Sequence, residues 1–270
     1  MKKEKTKTFY YSDELHDDFA GVSRRKKNIG DNYKYINTNI FWRALAFAAY
    51  RIIMTPIAYL YCKIKFGIKI VNREKLKGKK GFYLYGTHTQ MPADGYIPTL
   101  CAFPVKPYVV VHPDSVALPG TEQFMLMIGA LPLPSAVHGT ANFTAAMDKR
   151  ISGGNCIMIY PEAHIWPYYT KIRPFGSVSF KYPAKSQSPV YCFTTVYNKR
   201  KHRSVPKITV YIDGPFVPDE SLSIKQRTQK LRDEVYFAMC GRAKLSDCEY
   251  YRYEKVQPEN MRETGEKEEA

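Results

Sequence analysis

The stretch from Gly81 to Asp94 constrains the fold of this chain more than any other part of the sequence. An apolar run ends at Gly86, a histidine follows two residues later, and Pro92 opens a predicted helix that contains Asp94. Open α/β sheets place ligands at the carboxyl ends of their strands, where this junction would present His88. A neutral imidazole can accept a proton from an alcohol, and a nearby carboxylate can fix its tautomer. The stretch therefore predicts a strand, a turn and a helix, with His88 as a general base and Asp94 as its orienting carboxylate.

By itself, this histidine and aspartate pair is also typical of an ordinary turn followed by a helix start. A second apolar run over residues 153–160 ends in a corner that contains Pro161 and Glu162. Together the two stretches resemble the glycerolipid (lysophospholipid) acyltransferase family. Its signatures are a His and an Asp with four residues between them and, further along the chain, an aromatic-Pro-Glu-Gly block. Here five residues separate His88 from Asp94, and Ala163 stands where the family has glycine.

The resemblance implies acyl transfer from a thioester to an alcohol, with His88 as the base and Asp94 as the residue that orients it. It also implies that Pro161, Glu162 and Ala163 shape the acceptor and oxyanion region. A thioester is already activated, so direct attack needs no nucleophilic residue, and the sequence contains no Gly-x-Ser-x-Gly elbow.

Two cations, Lys171 and Arg173, follow this corner within a segment that has no acidic residue from Ala163 to Ile212. Cationic side chains in such a segment are candidates for binding an acceptor phosphate. The family's arginine in the middle motif is missing here, and the corresponding region is 131–134.

Apolar runs alternate with helical patterns along the chain, which predicts an α/β fold with a mixed, mostly parallel sheet flanked by helices. A closing amphipathic helix is predicted over 219–242. Its apolar stripe contains Ile224, and Ser223 with Gln226 forms a capping box. Strands are predicted at 67–71, 81–85, 107–112, 153–160, 190–197 and 208–212.

Four segments are predicted along the 270 residues. Residues 1–37 form a loosely ordered polar arm whose aromatic side chains either pack on the domain or touch a lipid interface. Residues 38–66 form a membrane-associating helical segment, and 67–253 form the acyltransferase α/β domain. Residues 254–270 are charged, lack apolar periodicity and are predicted to be a disordered tail.

The most hydrophobic stretch covers residues 39–62. It would nearly span a bilayer, but Arg43 and Arg51 interrupt it and Pro56 is expected to kink it. An N-terminal membrane-interface helix or helical hairpin is favoured, because arginine stems can snorkel and the aromatic residues suit the headgroup level. The alternative is an ordinary amphipathic helix that covers the domain.

The formal net charge of +16 predicts anionic partners, and anionic membrane lipids are expected because a basic run follows the hydrophobic stretch. The six cysteines are scattered without a Cys-x-x-Cys pair, which is typical of reduced core residues in a cytosolic setting. We therefore expect a peripheral or monotopic protein on the cytoplasmic face of the cell membrane. No metal site, no cofactor and no nucleic-acid partner are predicted.

The sequence thus predicts a membrane-associated O-acyltransferase of phospholipid biosynthesis. The donor would be acyl-CoA or an acyl carrier protein thioester, and the acceptor would be the hydroxyl of a lysophospholipid such as a 1-acylglycerol 3-phosphate. Two alternatives stay open at this stage. One is a basic membrane-surface or nucleic-acid binding protein without catalysis, and the other is a lipid hydrolase that uses the same His and Asp.

Overall fold

A computed structural model describes residues 7–19, 27–91, 93–117 and 120–257. The helices in these ranges are α1 (Ile40–Lys65), α2 (Ile97–Ala102), α3 (Glu122–Ile128), α4 (Thr140–Ser152), α5 (Lys181–Ser186) and α6 (Ile224–Ala243). The strands are β1 (Thr8–Tyr11), β2 (Lys69–Val71), β3 (Phe82–Gly86), β4 (Pro107–Val111), β5 (Ala130–Pro132), β6 (Cys156–Ile159), β7 (Val190–Arg200), β8 (Arg203–Phe216) and β9 (Arg252–Lys255).

Strands β2 to β8 form one seven-stranded sheet in the order β2-β8-β7-β3-β6-β4-β5. All neighbouring pairs are parallel except β7 and β8, which form an antiparallel hairpin. This mixed, mostly parallel sheet with flanking helices confirms the predicted fold class. Since β3 and β6 are parallel neighbours, with Tyr85 paired to Ile159, the segments that follow them leave the sheet at the same edge.

Alternate residues of the central strands face two separate hydrophobic cores. In β3, Tyr83 and Tyr85 face the core that contains α4 and α6, whereas Phe82 and Leu84 face the core that contains α2 and part of α1. Both faces of β3 and β6 are fully covered, which explains why these strands are continuous apolar runs in the sequence.

The capping box predicted at the start of α6 is confirmed, since Ser223 and Gln226 bond each other's backbone N–H groups. The apolar stripe is confirmed at Leu231, Val235 and Met239, which are buried against the sheet. The prediction that Ile224 belongs to the buried stripe is wrong, because this residue lies at the first helical position and is 46% exposed.

The predicted helix that opens at Pro92 is shorter than expected. Pro92 itself lies outside the described residues; Ala93–Gly95 is a 3-10 turn, and α2 begins only at Ile97. The apolar region near 130 supplies an edge strand, β5, that the sequence did not reveal. It has three residues and ends in Pro132, which suits a sheet edge because proline cannot donate to a neighbouring strand.

Helix α1 runs continuously for 26 residues and is long and apolar enough to cross a membrane, with a mean hydropathy of 1.4 in its most apolar window. Only 28% of that window is buried inside the protein. Large apolar side chains are exposed along its length, including Phe41 (82%), Ile52 (70%) and Ile64 (72%). The helix packs through small or aromatic residues such as Ala58 and Tyr50. Pro56, where a kink is predicted, lies near the start of the α-helical segment Thr55–Tyr59, between the π-helical segments Ala49–Met54 and Leu60–Lys65, and the helix continues through it.

The described residues of the predicted polar arm pack on the domain, which corrects the expectation that it is loosely ordered. Strand β1 pairs with β9 in a two-stranded parallel sheet, and Ile29 is fully buried. The aromatic residues Phe9 and Phe19 pack near Tyr253, one of the two alternatives that the sequence left open. The predicted tail begins inside β9, and residues 258–270 lie outside the described residues.

Gly86 ends β3 where a side chain has no room. A Cβ at this position would lie 2.2 Å from Phe193 Cζ and 2.7 Å from Met158 Cε, and both neighbours are fully buried. We predict that Gly86→Ala lowers the free energy of unfolding by about 1–3 kcal/mol, because the packed core must shift to accept the methyl group.

Chemical denaturation of Gly86→Ala beside Gly176→Ala tests this steric constraint. A Cβ at the exposed Gly176 would meet no atom within 4 Å, so that control should change stability little. Equal effects of the two substitutions would contradict the account of Gly86.

Candidate active site

His88 stands in the loop that follows β3, at the carboxyl edge of the sheet, as the sequence predicted. Its Nδ1 atom lies 2.9 Å from Oδ2 of Asp94. The histidine side chain is 17% exposed and that of Asp94 is 4% exposed. A carboxylate beside Nδ1 favours the tautomer with a proton on that nitrogen. The Nε2 lone pair is then left to accept a proton.

The five residues between His88 and Asp94 form a turn that brings the pair together. The backbone N–H of Asp94 donates to the carbonyl of Gln90 at 2.7 Å, and the N–H of Gln90 donates to Asp94 Oδ2 at 2.9 Å. The same carboxylate oxygen therefore receives the Gln90 backbone and the His88 ring. With five residues between them, the two side chains are in contact.

Tyr160 sets the plane of the His88 ring. The two rings stack with centroids 4.2 Å apart and planes inclined by 15°. The Tyr160 hydroxyl donates to the backbone carbonyl of Asp94 at 2.5 Å. Burial raises the pKa of Tyr160 well above its ordinary value, so the phenol stays a neutral donor. This residue is the aromatic position of the Pro-Glu corner, and it contacts both members of the pair.

Glu162 is buried and ties the loop after β6 to the loop after β3. Its Oε2 accepts the backbone N–H of His88 at 3.1 Å, and its Oε1 accepts the backbone N–H of Arg173 at 2.9 Å. Burial raises the pKa of the Glu162 carboxyl, and the Arg173 guanidinium and the two backbone donors act in the opposite direction. The carboxylate thus contacts the backbone on both sides, and it positions His88.

The structure corrects the prediction that Arg173 binds an acceptor phosphate. The residue is 1% exposed, and its guanidinium donates to the carbonyl oxygens of Glu14, Glu162 and His164. Burial lowers its pKa while the charge of Glu162 acts against that shift. A guanidinium bonded in this way is not open to an acceptor phosphate, so Arg173 serves the internal structure of the loop. Lys171, in contrast, is exposed.

The segment after Glu162 covers the His88 loop through backbone bonds. The N–H of Trp166 donates to the carbonyl of His88 at 3.2 Å, and the N–H of Tyr168 donates to the carbonyl of Thr89 at 2.8 Å. The Tyr197 hydroxyl reaches the same loop and donates to Oε1 of Gln90 at 3.2 Å. None of these partners follows from sequence spacing, because they come from distant segments.

The terminal two-stranded sheet braces this covering segment from outside. Trp166 is fully buried and stacks on Tyr253 of β9 with ring centroids 5.0 Å apart. Its indole N–H donates to the carbonyl of Asp17 at 2.8 Å, and the Tyr253 hydroxyl donates to the carbonyl of Pro167 at 2.7 Å.

The described ranges contain no group of three or more His, Cys, Asp or Glu side chains arranged to hold a metal ion. His112 and His164 each lie near one aspartate in separate segments, Asp114 and Asp18 respectively. The site itself presents a partly exposed imidazole, a carboxylate and the tyrosine stacked on the ring.

Comparison with known proteins adds one finding at the level of the fold. The crystal structure of the 1-acyl-sn-glycerophosphate (LPA) acyltransferase PlsC from Thermotoga maritima superposes with a TM-score of 0.55. The chain has the fold of that acyltransferase. The likeness covers 77% of this chain and 89% of the PlsC chain at 15% sequence identity. No family model matches the sequence, and no curated protein matches it.

Ala163 occupies a backbone conformation that favours glycine. Its φ angle is +64°, and the residue is exposed at the corner where the acyltransferase family has glycine. A left-handed conformation costs an L-residue roughly 1–2 kcal/mol, and glycine avoids this cost. Part of that advantage is offset because glycine also has more conformational freedom in the unfolded chain. We predict that Ala163→Gly raises the free energy of unfolding by up to about 1 kcal/mol.

Urea denaturation of Ala163→Gly and Ala163→Val checks this expectation. The valine variant should be less stable than the parent, since β-branched residues are outliers at positive φ. A glycine variant less stable than the valine variant would contradict the backbone argument.

Replacing the Glu162 carboxylate with an amide is expected to lower the stability of the folded protein. In Glu162→Gln one side-chain oxygen becomes an NH2 group, so the backbone N–H of either His88 or Arg173 loses its acceptor. We predict a decrease of about 1–3 kcal/mol in the free energy of unfolding. The matched control is Glu220→Gln, because Glu220 is exposed and should tolerate the change. Identical thermal unfolding of both variants would show that the carboxylate does not join the two loops.

Proposed function

We propose that this protein is a membrane-associated O-acyltransferase. It transfers a fatty acyl group from acyl-CoA or an acyl carrier protein thioester to the hydroxyl of a lysophospholipid of the 1-acylglycerol 3-phosphate kind. The observation that carries the proposal is the 2.9 Å contact between His88 Nδ1 and Asp94 at the carboxyl edge of the sheet. The fold shared with PlsC, whose description names 1-acyl-sn-glycerophosphate, supports the choice of reaction and acceptor.

In the proposed reaction, Nε2 of His88 takes the proton of the acceptor hydroxyl as its oxygen attacks the thioester carbonyl carbon. The tetrahedral intermediate then collapses, the carbon–sulfur bond breaks, and the thiolate leaves. The proton on the imidazolium returns to the leaving sulfur, so the products are an ester and a free thiol. Asp94 keeps Nδ1 protonated throughout and stabilises the transient positive charge on the ring. No covalent acyl-enzyme forms.

Lys171 is the remaining candidate for the acceptor phosphate. It is an exposed cation on the segment between Glu162 and Arg173, and the internal bonds of Arg173 hold that segment in place. Pro161 and Ala163 flank Glu162 at the same corner and are proposed to shape the wall beside the acceptor.

Helix α1 is proposed to lie in the membrane interface on the cytoplasmic face of the cell membrane. Its exposed apolar side chains would otherwise face water, and burying apolar area in lipid is favourable by about 25 cal/mol per Å2. The basic residues Lys63 and Lys65 at the end of α1 would meet anionic headgroups. All six cysteines are free thiols, which fits a reducing compartment.

Acyl transfer in mixed micelles tests the proposal. Purified protein is offered labelled acyl-CoA or acyl carrier protein thioester with a panel of lysophospholipids. We predict that His88→Ala lowers the rate of ester formation by about a hundredfold or more, because general-base catalysis contributes at least that factor. The control His138→Ala removes an exposed imidazole in another segment and should keep the parent rate.

Three results would contradict the proposal. One is an unchanged rate in folded His88→Ala, and another is no transfer from either donor by the folded parent protein. The third is release of free fatty acid without dependence on an acceptor, which would indicate a hydrolase.

A further inference from the structure

A cavity of about 640 Å3 lies at the sheet edge opposite His88. Three of its lining residues lie one or two positions before adjacent parallel strands: Lys80 before β3, Lys106 before β4 and Asn155 before β6. The loop of His88 follows the other end of β3, whose five residues span roughly 16 Å. The first half of α1 forms a further wall of this cavity, which is therefore separate from the candidate active site.

The lining of this cavity is strongly basic. It contains no Asp or Glu, and its six cations are Arg43, Arg51, Lys80, Lys106, Lys149 and Arg150. In the part of the chain that the structure describes, none of the six forms a salt bridge with a carboxylate; the ion pairs there belong to other cations. An uncompensated group of cations around a concave space attracts an anion.

Aromatic rings hold two of these cations in place. The Lys106 ammonium lies 4.8 Å and 5.0 Å from the ring centroids of Tyr50 and Tyr108, and it donates to the carbonyl of Met127 at 2.5 Å. The Arg150 guanidinium lies 4.2 Å from the Tyr108 centroid, and its buried Nε has no hydrogen-bond partner among the described residues. The charges are thus pre-positioned before any ligand arrives.

The surroundings of Lys106 disfavour its charged form. Burial, together with the charges of Arg150 and Arg51, lowers its pKa to about 7. An anion placed among the three side chains would stabilise the charged form of Lys106 against the charges of Arg150 and Arg51. Arg150 Nε is the buried donor there that lacks a hydrogen-bond partner among the described residues. Phosphate suits the site because Arg and Lys are its usual ligands in proteins.

The surface beside the cavity indicates where the phosphate comes from. The helix that supplies Arg43 and Arg51 also exposes Phe41 (82%), Leu45 (58%) and Phe47 (66%). Phe47 and Trp42 line the cavity themselves, so apolar surface continues from its mouth along α1. A soluble phosphate would use only the basic part of this arrangement, whereas an anionic lipid would use both parts.

We propose that this cavity binds the phosphate of an anionic phospholipid, whose acyl chains lie along the exposed apolar side of α1. The site goes beyond the proposed acyl transfer and does not depend on it, since no residue of the His88 loop takes part. It would hold the protein in one orientation at a lipid surface.

Vesicle binding of the full chain tests the site. We compare flotation with phosphatidylcholine vesicles that contain phosphatidate for the parent, for Lys80→Glu with Lys149→Glu, and for the matched control Lys225→Glu with Lys244→Glu. The control lysines are exposed and lie in or next to α6, which contributes no residue to the cavity lining, and both double variants change the net charge equally. The cavity variant should bind these vesicles at least about tenfold more weakly, and the control should stay within about twofold of the parent.

Two outcomes would overturn the lipid site. Equal weakening of both double variants would mean that only total charge matters, and no weakening of the cavity variant would mean that the cavity does not contact lipid. Calorimetry with inorganic phosphate and coenzyme A separates the possible sources. If these soluble ligands bind the parent and not the cavity variant, while vesicle binding is unchanged, the pocket takes a soluble phosphate and the lipid assignment is wrong. Because every readout is binding, none of these results depends on whether acyl transfer occurs.

Discussion

The buried carboxylate of Glu162 determines where His88 stands. A carboxylate taken out of water is costly unless it is paired and fully hydrogen-bonded, and here the backbone N–H groups of His88 and Arg173 meet its two oxygens. The carbonyl of His88 is held in turn by the backbone of Trp166. Both the N–H and the carbonyl of His88 are therefore hydrogen-bonded, independently of the contacts that its side chain makes. The orientation of the imidazole against Asp94 and Tyr160 follows from that anchorage.

Helix α1 contacts both the basic cavity and the region beside the His88 loop. Near its middle, Arg51 bonds the carbonyl of Pro104 beside the basic cavity. Near its end, Tyr61 packs on Tyr96, two residues after Asp94, with ring centroids 5.2 Å apart. The apolar side chains exposed between these points lie on one continuous helix. If that helix rests on a lipid surface, the same surface reaches both the proposed phosphate pocket and the edge of the sheet where His88 stands.

Much of the scaffold could be predicted because buried strands leave a local record in the sequence. Strands β3 and β6 are short apolar runs that begin near glycines, and the helix start at Ser223 is marked by a capping box that needs only neighbouring residues. The contact between His88 and Asp94 could also be predicted, because the two residues share one turn. Family likeness supplied the chemical interpretation of this pair, and the turn geometry accounts for the contact between its two side chains.

The remaining features depend on contacts between distant segments, which no local pattern encodes. Arg173 looked like a surface cation because it stands in a segment without acidic residues, yet it is buried and donates to the carbonyl oxygens of three other residues. The pairing of β1 with β9 joins the two ends of the described chain. The stacking of Tyr160 on His88 arises only because β3 and β6 are adjacent.

The most direct test of the account is the tautomer of His88, measured by NMR of its imidazole nitrogens in the ligand-free protein under conditions where the ring is neutral. The account predicts a proton on Nδ1, beside Asp94, and an unprotonated Nε2 that can accept the proton of an alcohol. Asp94→Asn should disturb this preference, because an amide can turn its NH2 group toward the ring. A neutral ring in the parent protein with its proton on Nε2 would contradict the role assigned to His88 as the base.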